Sequence, residues 1–387
     1  MAPSGVSSET KTESSTGSTS YRNRSHPVLA ITMGDRNGIG PEIILKSLSE
    51  LQKSDPGRKC GVLLFASRDT MRFYSRVSGD SVDRSPLYHD SEQNVSLSSD
   101  FLFPPSREDL PVPEPGNVIL IPCREPQEEV SPGAITAESG KLAMDAVAAG
   151  AGACLSGHAD ALVTAPISKE AIHKAGFRVP GHTEYLAQLT GADSVGMMLV
   201  NRYMRIGLAT IHVPLRDVAG LLSAELILAR LGLYHQTLKH DFGIAQPRIS
   251  VLGLNPHAGD GGVLGSEEQE IIMPAMESAK KENIHVDGPW PADGYFGNKE
   301  YERADLVLAM YHDQGLIPLK LAGFGGGVNV TAGLPIIRTS PDHGTAFSLA
   351  GKNQAEAGSM LAAWNLALEL IERRASSRIV SRSSHAN

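Results

Sequence analysis

Short apolar runs alternate with amphipathic stretches along most of this chain. PVLAITM at 27–33 and ADALVTAPI at 159–167 are nearly continuous in apolar residues, which is typical of strands buried on both faces of a parallel sheet. The stretch SKEAIHKAG at 168–176 carries helix signals, because Ser168 is a favourable N-cap and Gly176 a favourable C-terminal cap. This alternation predicts βαβ units and a mostly parallel sheet, and therefore an α/β fold.

The two ends of the chain differ from the middle. Residues 1–26 are dominated by Ser, Thr and Gly and lack the apolar core of a signal peptide, so they predict a disordered tail. Residues 376–387 predict a second disordered tail. A segment rich in Pro, Ser and Asp, from about 78 to 116, predicts a long surface excursion. The apolar spacing of 358–374 predicts a final helix that packs on the core.

Composition narrows the classes of partner. The chain has 387 residues, enough for two domains, and a formal net charge of −8. We therefore expect no nucleic-acid or anionic-membrane surface, and any bound phosphate must be met by local positive groups. No apolar stretch reaches the roughly 18 residues of a spanning helix. Cys60, Cys123 and Cys154 are too scattered for a disulfide framework or a CxxC zinc site, so the expected location is the cytoplasm.

Three histidines share one local setting. His212, His257 and His312 each close an apolar run and open a loop that contains glycine or proline. Ligands of open α/β sheets gather at the carboxyl ends of the strands, and three neutral imidazoles there can hold a divalent metal with one position open. A single buried histidine is more often a hydrogen-bonded core residue. The trio alone therefore leaves metal binding and core packing equally open.

Three further features admit both a functional and a structural interpretation. His182 and Thr183 follow a Pro-Gly pair and could bind a ligand or cap a helix. Lys320 precedes a glycine-rich loop that ends at Asn329. The backbone N–H groups of this loop could approach an anion, or the loop could be merely flexible. Arg338 ends an apolar run, so we expect it at a strand's carboxyl end, facing a carboxylate, a phosphate or a structural ion partner.

Several long motifs resemble the 4-hydroxythreonine-4-phosphate dehydrogenase family of vitamin B6 synthesis. They include MGDRNGIGPEI, GHTEYLA, GLNPHAGDGG, LAMYHDQGLIPLK and GFGGGVNVTAGLPIIRTSPDHGTAF, and they run from about residue 28 to 372. The resemblance implies two α/β/α domains with a cleft between them, as in isopropylmalate and isocitrate dehydrogenases. The implied first domain is discontinuous, at 27–150 and about 320–375, and the second spans about 151–319.

The resemblance also implies roles for residues at matching positions. The implied metal ligands are His212, His257 and His312. The implied substrate-binding residues are His182, Thr183, Lys320, Asn329 and Arg338. The implied catalytic groups are Lys320, Asp313 and Asp293. A stretch similar to the adenosine-binding loop of isopropylmalate dehydrogenases implies cofactor contacts at His343, Gly344, Thr345, Ala350, Gly351 and Lys352.

Four positions depart from these patterns. Arg36 and Asn37 replace the Pro-Ala usual in the first glycine loop, which fits neither GxGxxG nor the P-loop motif. Ser348 and Glu356 stand where the isopropylmalate enzymes have Asp and Asn. The sequence therefore leaves the choice between NAD and NADP open.

The resemblance implies a metal-dependent, NAD(P)-linked oxidation of the 3-hydroxyl of 4-phosphooxy-L-threonine. Decarboxylation of the 3-oxo acid would then yield 3-amino-2-oxopropyl phosphate. One divalent ion per site is expected (Zn, Mg, Mn or Co). The family forms homodimers with shared sites, so His312 is expected to reach a metal held by His212 and His257 of the partner subunit.

Other functions compete with this one. A related branch of the family acts as 4-phospho-D-threonate or 4-phospho-D-erythronate 3-dehydrogenase in sugar-acid catabolism. A metal-dependent hydrolase or aldolase could use the same histidines on a phosphorylated substrate without NAD. A non-catalytic binding protein would be expected to have lost a ligand position, and every such position here has the expected residue type.

Overall fold

The computed structural model describes residues 24–54, 60–78, 89–90, 110–124, 126–323 and 325–384. The strands are β1 (Val28–Thr32), β2 (Gly61–Ala66), β3 (His89–Asp90), β4 (Val118–Pro122), β5 (Ala161–Thr164), β6 (Gly196–Val200), β7 (Arg205–Leu208), β8 (Arg248–Leu252), β9 (His285–Trp290), β10 (Leu306–Ala309), β11 (Val328–Ala332) and β12 (Ile337–Pro341). The α-helices are α1 (Gly40–Ser54), α2 (Arg68–Ser78), α3 (Ala137–Leu155), α4 (Lys169–Lys174), α5 (His182–Thr190), α6 (Leu215–Leu221), α7 (Ala224–His240), α8 (Met273–Lys281), α9 (Ala292–Gly297), α10 (His312–Ala322) and α11 (Gly358–Ser384).

The strands form one sheet in the order β3-β4-β2-β1-β5-β12-β11-β6-β7-β10-β8-β9. The first six are parallel to one another, and so are the last four. Three antiparallel pairings, β12 with β11, β11 with β6 and β6 with β7, join these two parallel blocks. Because each antiparallel pairing reverses direction, the two blocks run in opposite directions. The predicted mostly parallel α/β sheet is confirmed.

Both faces of the sheet are covered, which explains the continuous apolar runs. In β1, Leu29 and Ile31 enter one core cluster, whereas Val28 and Ala30 enter another. Alternate side chains of a strand point to opposite faces, so each cluster lies between the sheet and one helical layer. The layers are helix, sheet and helix, as expected for the α/β/α class.

Some predicted boundaries differ from the structure. β5 lies between β1 and β12 in the first block, although the predicted division at residue 150 assigns it to the second domain. Helix α11 continues to Ser384, past residue 376, where a disordered tail was predicted. No Gly or Pro interrupts this stretch, so nothing in the local sequence stops the helix.

The predicted N-terminal tail ends earlier than expected. Arg24 Nη2 lies 2.8 Å from Asp160 Oδ1, and Asp160 Oδ2 accepts the backbone N–H of Val28 at 2.8 Å. Residues 1–23, and most of the predicted excursion at 78–116, lie outside the described residues. Among the described helices, none alone is long and apolar enough to cross a membrane, and α6 and α7 meet that test only as a pair bent by 93°.

Candidate active site

A cavity of about 300 Å³ lies against the central strands, where the two parallel blocks meet. The strands β6, β11 and β12 contribute part of its wall, the loops after β5, β7 and β12 contribute another part, and the first residues of α4 and α5 and one residue of α10 complete it. Seven residues singled out from the sequence line it together: His182, Thr183, His212, Asn329, Arg338, His343 and Gly344. The structure therefore brings most of the predicted substrate-binding positions to one place.

Arg338 is a buried cation without an anionic partner. Its side chain is 2% exposed, and Thr164 Oγ1 accepts hydrogen bonds from its Nε at 3.2 Å and its Nη2 at 2.7 Å. Thr331 Oγ1 accepts from Nη1 at 3.1 Å. No described carboxylate lies within 4.0 Å. Burial lowers the pKa of Arg338 to about 9, and Glu184 opposes that shift, so the guanidinium stays charged at neutral pH.

The position of Arg338 in its strand differs from the prediction. It is the second residue of β12, near the amino end, because the strand begins only at Ile337. The preceding apolar residues Leu334 and Ile336 are buried but lie in the connecting turn. The side chain reaches the cavity across the sheet face rather than from a carboxyl edge.

Two buried polar atoms in the cavity wall have no hydrogen-bond partner among the residues that the structure describes. They are His182 Nε2 and Asn329 Oδ1. Burial, followed by the charge of Arg338, places the pKa of His182 well below its usual range, so its ring is neutral. Unsatisfied buried polar atoms are costly, and in native proteins a ligand or water commonly satisfies them. Arg338 and a protonated Nε2 of His182 can bind a small anion, whereas Asn329 Oδ1 can accept a hydrogen bond from a ligand hydroxyl.

The three histidines follow neighbouring parallel strands. β10 lies between β7 and β8, and His212, His312 and His257 come shortly after the carboxyl ends of β7, β10 and β8. The predicted strand-edge placement is therefore confirmed. The rings of His212 and His312 are neighbours within one chain, with centroids 5.5 Å apart. Asp313 Oδ1 lies 2.7 Å from His312 Nδ1.

His312 begins a helix rather than the predicted loop. Gln314 fixes the start of α10: its Oε1 accepts the N–H of Met310 at 2.7 Å and its Nε2 donates to Gly253 O at 2.7 Å. Gly315, which suggested a loop, serves close packing instead. A Cβ atom there would lie 2.4 Å from Ile206 Cγ2.

His257 lies in a left-handed turn, Pro256–Gly262, in which residues 257–261 all have positive φ. Within the described residues of one chain, no three His, Cys, Asp or Glu side chains converge as a metal-binding group. The donor chemistry nevertheless fits a divalent metal. Partial burial, then Lys169 and His312, lower the pKa of His212, which favours the neutral imidazole that metals require.

Several predicted residues lie away from this cavity. Lys320, in the last turn of α10, Asp293, in α9, and Asp313 are all exposed. The predicted cofactor loop packs on the first glycine loop, where Ile39 N donates to Thr345 O at 3.0 Å. The remaining predicted cofactor residues in that loop, outside the cavity, are Ala350, Gly351 and Lys352.

Arg36 and Asn37, which depart from the family pattern, are both buried. Arg36 Nη1 lies 3.2 Å from Glu138 Oε2 and donates to Glu128 O at 3.1 Å. Asn37 Nδ2 donates to Ala134 O at 3.0 Å. These side chains attach the glycine loop to the segment before α3.

The sequence analysis missed four residues with polar or charged side chains in the cavity wall: Lys169, Glu184, Ser340 and Asp342. Lys169 follows the carboxyl end of β5, which is the same signal that singled out the histidines. Glu184 and Asp342 lie next to residues already singled out, in GHTEYL and SPDHG. Ser340 offered no distinct signal, because a serine inside an apolar strand is common.

The layered α/β fold and the buried cation in a central cavity are typical of an enzyme that binds a small anion. A family model described as pyridoxal phosphate biosynthetic protein PdxA matches residues 59–367. A 4-hydroxythreonine-4-phosphate dehydrogenase of Prosthecochloris aestuarii is 41% identical over 348 residues, covering 89% of this chain and 97% of that protein. A similar enzyme of Chromobacterium violaceum is 41% identical over 345 residues, covering 89% and 97%.

Solved structures of similar proteins support the same family. A 4-hydroxythreonine-4-phosphate dehydrogenase from Klebsiella pneumoniae has a TM-score of 0.75 at 36% identity, covering 89% of this chain and 99% of that one. A terephthalate 1,2-cis-dihydrodiol dehydrogenase from Burkholderia xenovorans has a TM-score of 0.57 at 26% identity, covering 89% and 98%. The chain belongs to the PdxA family, as its motifs predicted. It is a dehydrogenase of the NAD(P)-dependent class that acts on CH–OH groups.

Proposed function

We propose that this chain oxidises the 3-hydroxyl of 4-phosphooxy-L-threonine with NAD or NADP, in a metal-dependent reaction. Decarboxylation of the 3-oxo acid then gives 3-amino-2-oxopropyl phosphate, a step of pyridoxal phosphate biosynthesis. The observation that carries the proposal is Arg338, a buried guanidinium with only hydroxyl partners in a cavity of about 300 Å³. Similar relatives are named for this substrate.

The phosphate group would bind at the strand face. Arg338 offers charge, and the neutral ring of His182 offers a buried, unsatisfied Nε2 that can donate as an N–H. The unsatisfied atom of Asn329 is the acceptor Oδ1, so we assign it to a hydroxyl of the substrate. Thr183 lines the same cavity and adds a hydroxyl. A buried cation and neutral donors bind a phosphate more strongly here than they would in water, because the low-dielectric environment strengthens each contact.

The metal would be held by His212, His257 and His312. When bound, a divalent ion supplies Lewis acidity, which lowers the pKa of a coordinated hydroxyl and stabilises negative charge on the neighbouring oxygen. Asp313 accepts a hydrogen bond from His312 Nδ1, which leaves Nε2 of that ring available as a ligand. Neutral His212 is ready for the same role.

The nicotinamide cofactor supplies the hydride acceptor, and we assign its adenosine half to the loop that begins at His343. His343 and Gly344 line the cavity, whereas Thr345 lies against the first glycine loop. The loop therefore connects the substrate cavity with a surface outside it. We assign Ala350, Gly351 and Lys352 to that outer surface.

A second copy of the chain would complete the site. Exposed apolar residues continue from each histidine-bearing segment: Val213 and Leu215, Val263 and Leu264, and Ile317 and Leu321. Leu321 is 83% exposed and Val263 is 79% exposed, and apolar side chains exposed to this extent are typical of a surface that another subunit covers. In such a homodimer, exposed Lys320, Asp313 and Asp293 would approach the partner's cavity and act there as the implied catalytic groups. We retain two domains with the cavity in the cleft between them, and we assign β5 to the first domain.

The three cysteines are free thiols. Cys60 and Cys123 are buried, and burial raises the pKa of Cys60 to about 11, which keeps that thiol protonated and unreactive. We therefore assign the protein to the cytoplasm, where thiols stay reduced.

A substrate comparison tests the proposal. The metal-loaded protein would be assayed for NADH and NADPH formation with 4-phosphooxy-L-threonine, 4-phospho-D-threonate and 4-phospho-D-erythronate. We expect the highest kcat/KM with 4-phosphooxy-L-threonine, and loss of activity after chelation. A higher kcat/KM with either sugar acid would show that the protein belongs to the catabolic branch of the family. If none of the acids yields reduced cofactor, a hydrolase or aldolase becomes the better explanation and the proposal fails.

A further inference from the structure

We propose that Lys169 binds the carboxylate of the substrate, as a second cation in the wall of the cavity that contains the buried guanidinium. This inference rests on the proposed function, because it assigns a partner to the group that leaves as CO2. Lys169 is not among the residues matched to the family's substrate-binding positions.

The backbone of Lys169 is held firmly. It is the first residue of α4, and Ser168 Oγ accepts the N–H of Ala171 at 3.2 Å to cap that helix. Helix α3 packs on this turn so closely that a Cβ atom at Gly140 would lie 2.2 Å from Ala171 O. The flexible lysine side chain therefore starts from a fixed point in the cavity wall.

The two lysines of α4 have different surroundings. Lys174 lies 2.9 Å from Glu170 and also donates to Ile135 O at 3.3 Å. Lys169 has no described carboxylate within 4.0 Å, and it lines the cavity, whereas Lys174 does not. The charge of Lys169 instead interacts with His212 in the same cavity. One lysine is thus engaged in a surface ion pair, and the other is available to an anionic ligand.

The substrate chemistry requires two cationic contacts. A phosphorylated 3-hydroxy acid carries a phosphate at C4 and a carboxylate at C1, so its charges lie at opposite ends of a four-carbon chain. Arg338, with His182, accounts for one anion at the strand face. The reacting C3 hydroxyl would lie at His212, and Lys169, whose charge acts on His212, is the cation of the same cavity that remains for the carboxylate. The exposed side chain of Lys320 is outside this cavity in the same chain.

A matched pair of ligands tests this assignment by binding rather than turnover. 4-Phospho-D-erythronate and D-erythritol 4-phosphate share the phosphate and the hydroxyls, and they differ in carboxylate against CH2OH. Calorimetric titrations would compare the full-length wild-type protein with Lys169→Met, Lys169→Arg and Lys174→Met. We expect Lys169→Met to weaken binding of the acid about 10- to 100-fold and that of the polyol phosphate less than about twofold.

The controls have defined outcomes. Lys174→Met should bind both ligands as the wild type does, and Lys169→Arg should recover most of the acid's affinity, because it keeps the charge. Equal weakening of both ligands by Lys169→Met would place the lysine on the phosphate and overturn the inference. Unchanged binding, or no preference of the wild type for the acid, would also overturn it. If the preference holds but no acid yields reduced cofactor, the proposed function fails while this contact stands.

Discussion

The buried carboxylate of Glu268 accepts the backbone N–H of Asn255 at 2.8 Å, two residues before His257. The same oxygen accepts the N–H of Leu254 at 2.8 Å, and the other accepts Asn255 Nδ2 at 3.0 Å. The left-handed turn that carries His257 begins at this point. A run of positive φ is unfavourable for side-chain-bearing residues, so the turn depends on such external hydrogen bonds.

Glu268→Gln should therefore weaken metal binding. The amide places an N–H group where an acceptor is needed, and changes of this kind beside a ligand typically reduce metal affinity about 10- to 100-fold. Competition with a chelating dye would measure zinc affinity in the purified protein. Exposed Glu270, on the same segment, provides the control Glu270→Gln, which should bind zinc as the wild type does. Equal zinc affinities in all three proteins would show that Glu268 does not support the metal site.

Arg338→Met should separate binding from stability. Removing a buried charge that interacts with a ligand typically costs 2–5 kcal/mol, so we expect KM for the phosphorylated substrate to rise about 100-fold. The free energy of unfolding should stay level or increase, because the apo protein no longer buries an unpaired cation. Kinetics and urea unfolding would be measured side by side. Arg374→Met, which breaks a 2.6 Å contact with Asp241, should show the reverse pattern.

The hydroxyls that hold Arg338 should contribute unequally. Thr164 Oγ1 accepts two of its hydrogen bonds and Thr331 Oγ1 accepts one. Thr164→Val should therefore lower the free energy of unfolding by about 2–3 kcal/mol and Thr331→Val by about 1 kcal/mol, because buried donors lose their acceptors. Denaturant unfolding at pH 7 would test the order. A larger loss for Thr331→Val would contradict this account.

His182 should make the protein less stable in acid. Its pKa in the folded protein is lowered by burial and Arg338, whereas the unfolded chain titrates near the ordinary value of 6.5. Below that pH the unfolded state binds a proton that the folded state does not, so stability falls by up to about 1.4 kcal/mol per pH unit. Asp35 acts in the opposite direction, since burial raises its pKa to about 6. The difference between wild type and His182→Gln isolates the histidine, and parallel stability curves from pH 7 to 5 would rule out its contribution.

Mixed dimers should reveal a shared site. If Lys320 acts in the partner's cavity, Lys320→Ala and Arg338→Met proteins are each inactive, but a heterodimer of the two has one intact site. After unfolding and refolding together at equal concentration, about a quarter of wild-type activity should return. Separately refolded proteins provide the baseline. No recovery in a mixture shown to contain heterodimer would place both residues in the same subunit's site.

The sequence predicted the strands well because burial on both faces leaves a continuous apolar run, as in β1 and β5. It also predicted the histidine-bearing edge, since β7, β10 and β8 each end shortly before their histidine. It did not reveal that the two parallel blocks run in opposite directions. That reversal depends on pairings between strands far apart in sequence, such as β11 with β6.

Local signals also failed where tertiary packing decides the conformation. Gly315 suggested a loop after His312, but close contact with Ile206 requires a glycine at this position of α10. Lys169 escaped notice because motif matching does not show which charged side chains reach a cavity. The structure shows the difference: Lys174 forms an ion pair with Glu170, whereas Lys169 has no described carboxylate within 4.0 Å.

The place of β12 in the sheet sets an order for biosynthesis. β12 begins at Ile337, yet it fills the slot between β5 and β11, so the first parallel block remains one strand short until that segment leaves the ribosome. Until then, β5 presents an open edge on the side opposite β1, and Arg338 has not yet reached Thr164. A nascent chain halted before residue 337 would therefore expose an unpaired strand and depend on chaperones. Arg338, which we propose binds the substrate's phosphate, is thus also among the last residues to reach its place in the sheet.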